Sequence, residues 1–201
     1  MKKLSTYLFL IFFSFSAPSF ADDIQDFEIE GMSIGDSLLD YMSEKKIKEQ
    51  FEITKNHYNY LKEPHKFREA YIHDNANFKT YSTISFYVKP DDKNYTIFFI
   101  RGMAPYINNM DKCLKKRNEI ANEVENMISK FKKSESNIKS TLDKSGKSHY
   151  KQLIYTFETG DEINISCNDW EEKLRIKNNW TEGIDVAIVK KEITDWFDNR
   201  K

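Results

Sequence analysis

Residues 150–170 read YKQLIYTFETGDEINISCNDW, from Tyr150 to Trp170. In the second half, Ile163, Ile165 and Cys167 alternate with Asn164, Ser166 and Asn168. A period of two puts the isoleucines and the cysteine on one face of a strand and the polar residues on the other. With Thr159-Gly160 as the turn, the stretch predicts a β-hairpin. The other cysteine, Cys113, lies in Asn108 to Lys133. There Met110, Cys113, Ile120, Val124, Met127 and Phe131 recur at helical spacing, and Leu114, Ala121 and Ile128 widen the stripe. Each cysteine therefore falls on the apolar side of its own element. A disulfide between Cys113 and Cys167, tying the long helix to the sheet, is the expected outcome.

The N-terminus supplies the compartment that such a bond needs. Lys2 and Lys3 precede the apolar run LSTYLFLIFFSFSAPSF, and Ser19-Phe20-Ala21 fits a small-x-small cleavage site. Residues 1–21 read as a signal peptide, with 22–201 as one domain, periplasmic or secreted. Pro18 interrupts the run before the cleavage site, which argues against a retained anchor. The chain has 201 residues and a formal net charge of -1. Removing Lys2 and Lys3 leaves the exported part at -3, a balance that fits nucleic acid poorly. The segment from Asp111 to Lys151 is basic, with eleven basic against six acidic residues; its simplest reading is the solvated side of the helix and the polar stretch after it.

Other elements follow from local pattern. Asp26 to Met32 reads as a short strand and Ser33 to Asp36 as a turn. Ser37 resembles the N-cap of a capping box with Asp40, and Ser43 with Glu44 the start of a second short helix through Ile47 and Phe51. Glu52 to Phe78 has no clear period, apart from an edge strand near Phe67 to Ile72. Ile84, Phe86 and Val88 alternate, Pro90 to Lys93 forms a turn, and Tyr95 to Ile100 returns, with Gly102 and Pro105 ending the hairpin. Ser134 to His149 is almost without apolar residues and reads as a solvated loop. Asp185 to Val189 is a short strand, and Lys190 to Phe197 a terminal helix presenting Ile193, Trp196 and Phe197. The expected fold is α+β: a largely antiparallel sheet of about five strands, one long helix on a face, and short N- and C-terminal helices.

Several stretches imitate catalytic signatures. Gly31-Met32-Ser33-Ile34-Gly35 fits G-x-S-x-G, and Gly35-Asp36-Ser37-Leu38 resembles the GDSL motif of exported SGNH esterases. A serine hydrolase also needs a base and a group to orient it. The family's D-x-x-H is absent: Thr54, Lys62, Ala70 and Gly146 stand three residues before the four histidines. Ser166 to Asp169 echoes its G-x-N-D block without the glycine. Asp143 to Ser148, DKSGKS, ends like a Walker A loop but has Thr141 where the first glycine belongs. His57, His65 and His73 are spaced by eight, not by the three or four of helical metal pairs. Asn94, Asn164 and Asn179 head glycosylation sequons, two of them in expected strands. Trp170, Trp180 and Trp196 read as core or loop anchors first and as a binding surface second. No catalytic residue, cofactor or metal is expected.

Taken together, Gly31 to Tyr41, the Asp143 to Ser148 stretch, and Gly160-Asp161 running into Cys167-Asn168-Asp169-Trp170 resemble an uncharacterised family of small exported proteins from AT-rich marine bacteria. The resemblance carries no activity or site residue and implies that the turn around Gly35 is structural. The leading expectation is a non-enzymatic exported protein that binds a small molecule or a protein partner or maintains the envelope, without nucleic acid or stable membrane insertion. The alternative is a small exported hydrolase using Ser37.

Overall fold

The computed structural model describes residues 23–200, except 74 and 179. The expected signal peptide lies outside the described residues. In chain order the strands are β1 (Glu28–Ile29), β2 (Met32–Ser33), β3 (Arg68–His73), β4 (Thr83–Val88), β5 (Ile97–Pro105), β6 (Lys132–Lys139), β7 (His149–Thr156), β8 (Glu162–Asp169) and β9 (Gly183–Val189). The α-helices are α1 (Glu44–Thr54), α2 (Met110–Met127), α3 (Glu172–Asn178) and α4 (Lys191–Asp198). The protein is α+β, and among the described residues its main sheet has seven strands rather than the expected five, in the order β3-β4-β5-β9-β8-β7-β6. Every pairing is antiparallel.

Two three-stranded meanders, β3-β4-β5 and β6-β7-β8, are separated in sequence by α2 and joined in space by β9. This last strand, GIDVAIV, is the most apolar of the set and takes the central place, hydrogen-bonded on both sides. A strand covered on both faces reads as a near-continuous apolar run. The exception is Asp185, a carboxylate in the middle of the sheet.

The alternation fixes the two faces. One carries Ile84, Phe86, Ile100, Ile163, Ile165, Cys167, Ile184, Val186 and Ile188, all buried in the larger core cluster. Helix α2 packs on this face across β8 and β9, burying Cys113, Arg117, Ala121 and Val124. Cys113 and Cys167 are bonded, with Sγ–Sγ 2.03 Å and Cα–Cα 6.0 Å. Asn109 caps the helix by accepting from the Lys112 N–H at 3.2 Å. The opposite face carries a smaller cluster in which Ile193 and Trp196 of α4 pack on Phe67, Tyr87, Phe99 and Val189. The Trp196 indole N–H donates to the Glu63 carbonyl at 2.7 Å. Helix α4 has no side-chain cap of its own; Asp161, from the β7–β8 turn, accepts from the Lys191 N–H at 2.7 Å and the Lys190 ammonium at 2.8 Å.

Four local expectations are corrected. Asp26 to Met32 is not one strand: Glu30 (φ 53°) and Gly31 (φ 78°) are both left-handed, and the chain doubles back as the two-residue hairpin β1–β2. Glu30 then holds this hairpin to the body by accepting from the N–H groups of Lys79, Thr80 and Tyr81 at 2.9, 2.7 and 3.1 Å. Pro105 ends β5 as expected, but Gly102 does not: it lies within the strand. A Cβ on Gly102 would come within 2.6 Å of the Tyr81 ring, so the glycine marks a close approach inside a strand. The long helix stops at Met127, short of Lys133: Ile128 turns extended (φ -100°, ψ 133°) and is buried. The polar segment after it is edge strand β6, not a loop. It is exposed along nearly its whole length, so its pairing is backbone-driven and no apolar pattern marks it. Its lysines suit an edge that must not recruit another chain.

Candidate functional site: a polar cleft on the open sheet face

The strand register lays out the face opposite α2 as cross-strand rows. One row runs Glu69, Tyr87, Phe99, Val189 and Glu162. The next runs Tyr71, Ser85, Arg101, Ala187 and Asn164, and a third includes Met103, Asp185 and Ser166. Helix α4 covers one end of these rows. In the uncovered part the central side chains are small: Ser85, Ala187 and Ser166. Larger aromatic residues stand around them. Beside them a cleft of about 590 Å³ reaches from His57 and Tyr71 to Trp170 and Trp180. It continues into a second hollow of about 290 Å³ along Asn164, Ser166 and Ala187, sharing Arg101, Tyr150, Asn168, Asp185 and Phe197.

At its floor Arg101 lies between two carboxylates, 3.7 Å from Glu69 and 4.0 Å from Asp185. Glu69 is only 2% exposed, and its oxygens are already committed. They accept from the Tyr58 hydroxyl at 2.6 Å and the Tyr87 hydroxyl at 3.1 Å, and pair with His57 Nδ1 at 3.2 Å. Burial pushes its pKa upward, but the His57 hydrogen bond, the Arg101 charge and the tyrosine hydroxyls outweigh burial and hold it below the usual value. His57 is shifted up in turn, first by that hydrogen bond. Asp185 is held differently. Burial dominates and raises its pKa, with Arg101 and Asn168 only partly opposing. Its Oδ1 has no hydrogen-bond partner, and neither do Asn164 Oδ1 and Arg101 Nε. Buried polar atoms are rarely left so. The Glu69 end of the cluster is thus satisfied, and the Asp185 end keeps unpartnered atoms.

The rim is aromatic. Trp170 and Trp180 pack against each other with ring centres 4.3 Å apart and planes tilted, and Tyr150 meets Trp170 edge-on at 5.1 Å. The Trp170 indole N–H is fixed by the Thr181 carbonyl at 3.1 Å. Trp196 is in the core under α4 and takes no part.

The motif residues lie elsewhere. Ser37 caps a 3-10 turn at Leu38–Asp40 by accepting from the Leu39 N–H at 3.3 Å, and its hydroxyl donates to the Asn94 carbonyl at 2.6 Å. No histidine is among its partners. The Ser33 hydroxyl donates to the Phe27 carbonyl at 3.2 Å. The Asp143 to Ser148 loop does wrap its amides around an anion, but the anion is Asp143 itself. Its carboxylate accepts from the N–H groups of Ser145, Lys147 and Ser148 and from the Ser148 hydroxyl at 2.8 to 3.0 Å, and is held well below the carboxylate range. His65 pairs with Arg68 and His73 with Thr83, far from any common role with His57. No group of three or more potential metal ligands occurs among the described residues. Asn164 is placed on the cleft floor and the other described sequon residue, Asn94, in the turn beside Ser37.

Sequence reasoning missed Glu69, Arg101 and Asp185. Asp185 in an otherwise apolar strand was the one available signal. No family model, curated protein or solved structure matches the chain.

Proposed function

We propose that this is an exported binding protein that takes a small polar ligand into the cleft on the open sheet face. The carrying observation is Arg101: a guanidinium in the middle of a sheet, with an unpartnered Nε, flanked by the unpartnered oxygens of Asp185 and Asn164. Keeping such groups costs stability that an apolar face would not, and a cleft with converging polar groups and perturbed titration is the usual setting of a binding site. Export is supported by the N-terminal sequence pattern and the Cys113–Cys167 bond. No helix among the described residues is long and apolar enough to cross a membrane. Catalysis by a carboxylate pair is disfavoured because Glu69 is enclosed and both its oxygens are used. Hydrolysis by Ser37 has no supporting observation, since that hydroxyl is committed to the backbone. The test is a ligand screen by thermal shift on the exported protein beside Arg101→Met. A ligand that stabilises the former and not the latter supports the reading. Ligands that stabilise both equally place binding elsewhere.

A further inference from the structure

We infer that the ligand is a neutral saccharide, its hydroxyls on the Arg101–Asp185–Asn164 floor and a ring face on the Trp170–Trp180 wall. This rests on the binding reading above and narrows it by three considerations. The first is charge. Arg101 is flanked by carboxylates at 3.7 and 4.0 Å, so an anion entering the floor meets two negative groups with the one positive. An ammonium meets the guanidinium. A neutral ligand meets neither penalty.

The second is hydrogen-bond polarity. Just beneath the floor, screened from solvent, lie an unpartnered donor, Arg101 Nε, and unpartnered acceptors on Asp185 and Asn164. An ammonium only donates and a carboxylate or phosphate only accepts. A hydroxyl does both from one atom, and small side-chain shifts bring these atoms to neighbouring hydroxyls on one ring. The third is the wall. A sugar ring combines polar edges with an apolar C–H face that packs on an indole. Trp170 and Trp180 touch at 4.3 Å between ring centres with planes tilted by 42°. They make one platform, not a slot between parallel rings of the kind a flat nucleobase would fill. A volume of about 590 Å³ lies within the ordinary range for ligand pockets and has room for more than one sugar ring.

The experiment is isothermal titration calorimetry of the exported protein. The panel is neutral di- and trisaccharides of glucose, galactose, mannose and N-acetylglucosamine, with adenosine, spermidine and citrate as the competing chemistries. The expected result is saturable binding of at least one saccharide, weakened tenfold or more by Trp180→Ala and largely kept by Trp180→Phe. Binding of adenosine, spermidine or citrate in an Arg101-dependent way, with no saccharide bound, overturns the saccharide assignment and leaves the cleft reading standing. Saccharide binding unchanged in both Trp180→Ala and Arg101→Met places the sugar elsewhere and overturns both. Silence of the whole panel overturns the saccharide assignment.

Discussion

The two faces of the sheet are built from the same strands and solve different problems. Along β9, Ile184, Val186 and Ile188 point under α2, and Asp185, Ala187 and Val189 point the other way. The first face is closed by a helix and a covalent bond. The second is closed only at one end, by the single apolar side of α4, and elsewhere holds charges that do not reach ideal partners. On the closed face the buried strand residues are explained by packing. On the open face Arg101, Asp185 and Asn164 are not, because apolar residues of similar size would leave fewer polar atoms unpaired. A fold that is locally consistent almost everywhere is expected to break its rules where it functions.

The largest way to break the comparison is to weaken the closed face. Replacing Cys113 and Cys167 by serine reopens a 54-residue separation, which loop entropy values at about 4 kcal/mol. A denaturation midpoint measured in urea is expected to fall accordingly, and reductant should reproduce the fall in the parent protein only. A loss below about 1 kcal/mol would mean that α2 docks without the bond. Next comes Arg101→Met on the open face. It leaves Glu69 and Asp185 without their cation, and an expected loss of about 1–3 kcal/mol follows from stranding buried polar groups. Arg101 keeps 29% of its side chain exposed, so solvent holds the effect to the lower part of that range. Asp185→Asn should go the other way. Burial raises its folded pKa, so folding works against its charged form. Removing that charge is expected to leave stability unchanged or increase it by up to about 1 kcal/mol, while weakening ligand binding. A clear loss of stability would show that Asp185 is structural and blunt the contrast between the faces.

The closed face was legible in the sequence because its signals are local and periodic. The alternation ending in Cys167 and the stripe through Cys113 each gave a direction, and two directions sufficed to join them. The edge strand Arg68–His73 fell where Phe67 to Ile72 was expected, and Gly160, with φ 85°, made the β7–β8 turn. Strand β6 escaped because an edge exposed on both sides has no apolar pattern to read. The central place of β9 escaped because strand order is a long-range property. The open-face cleft escaped for the same reason. Glu69, Arg101 and Asp185 are far apart in sequence and meet only through the register of four strands, whereas Gly35 to Leu38 and Asp143 to Ser148 drew attention because their residues are adjacent. In both, adjacency served capping and turn formation.

The smallest and most specific test concerns His57, which lies at the satisfied end of the cluster. Its pKa is raised first by the hydrogen bond to Glu69, so it binds its proton more tightly folded than unfolded. The stabilisation is therefore complete below the unfolded value of about 6.5 and fades as pH rises through the folded pKa. Glu69 is shifted down, so its own contribution is present above about 4.5 and is lost as pH falls through its folded pKa. The two overlap between these limits, where the His57–Glu69 pair is charged on both sides. With the His57 side chain 46% exposed, solvent screening leaves the pair about 0.5 kcal/mol. His57→Gln should accordingly melt below the parent protein at pH 5.5, and the two should converge by pH 8.5. Circular dichroism melts at the two pH values measure this directly. A gap of the same size at both would mean that the imidazole acts by packing alone, leaving the Glu69 end held by Tyr58, Tyr87 and Arg101.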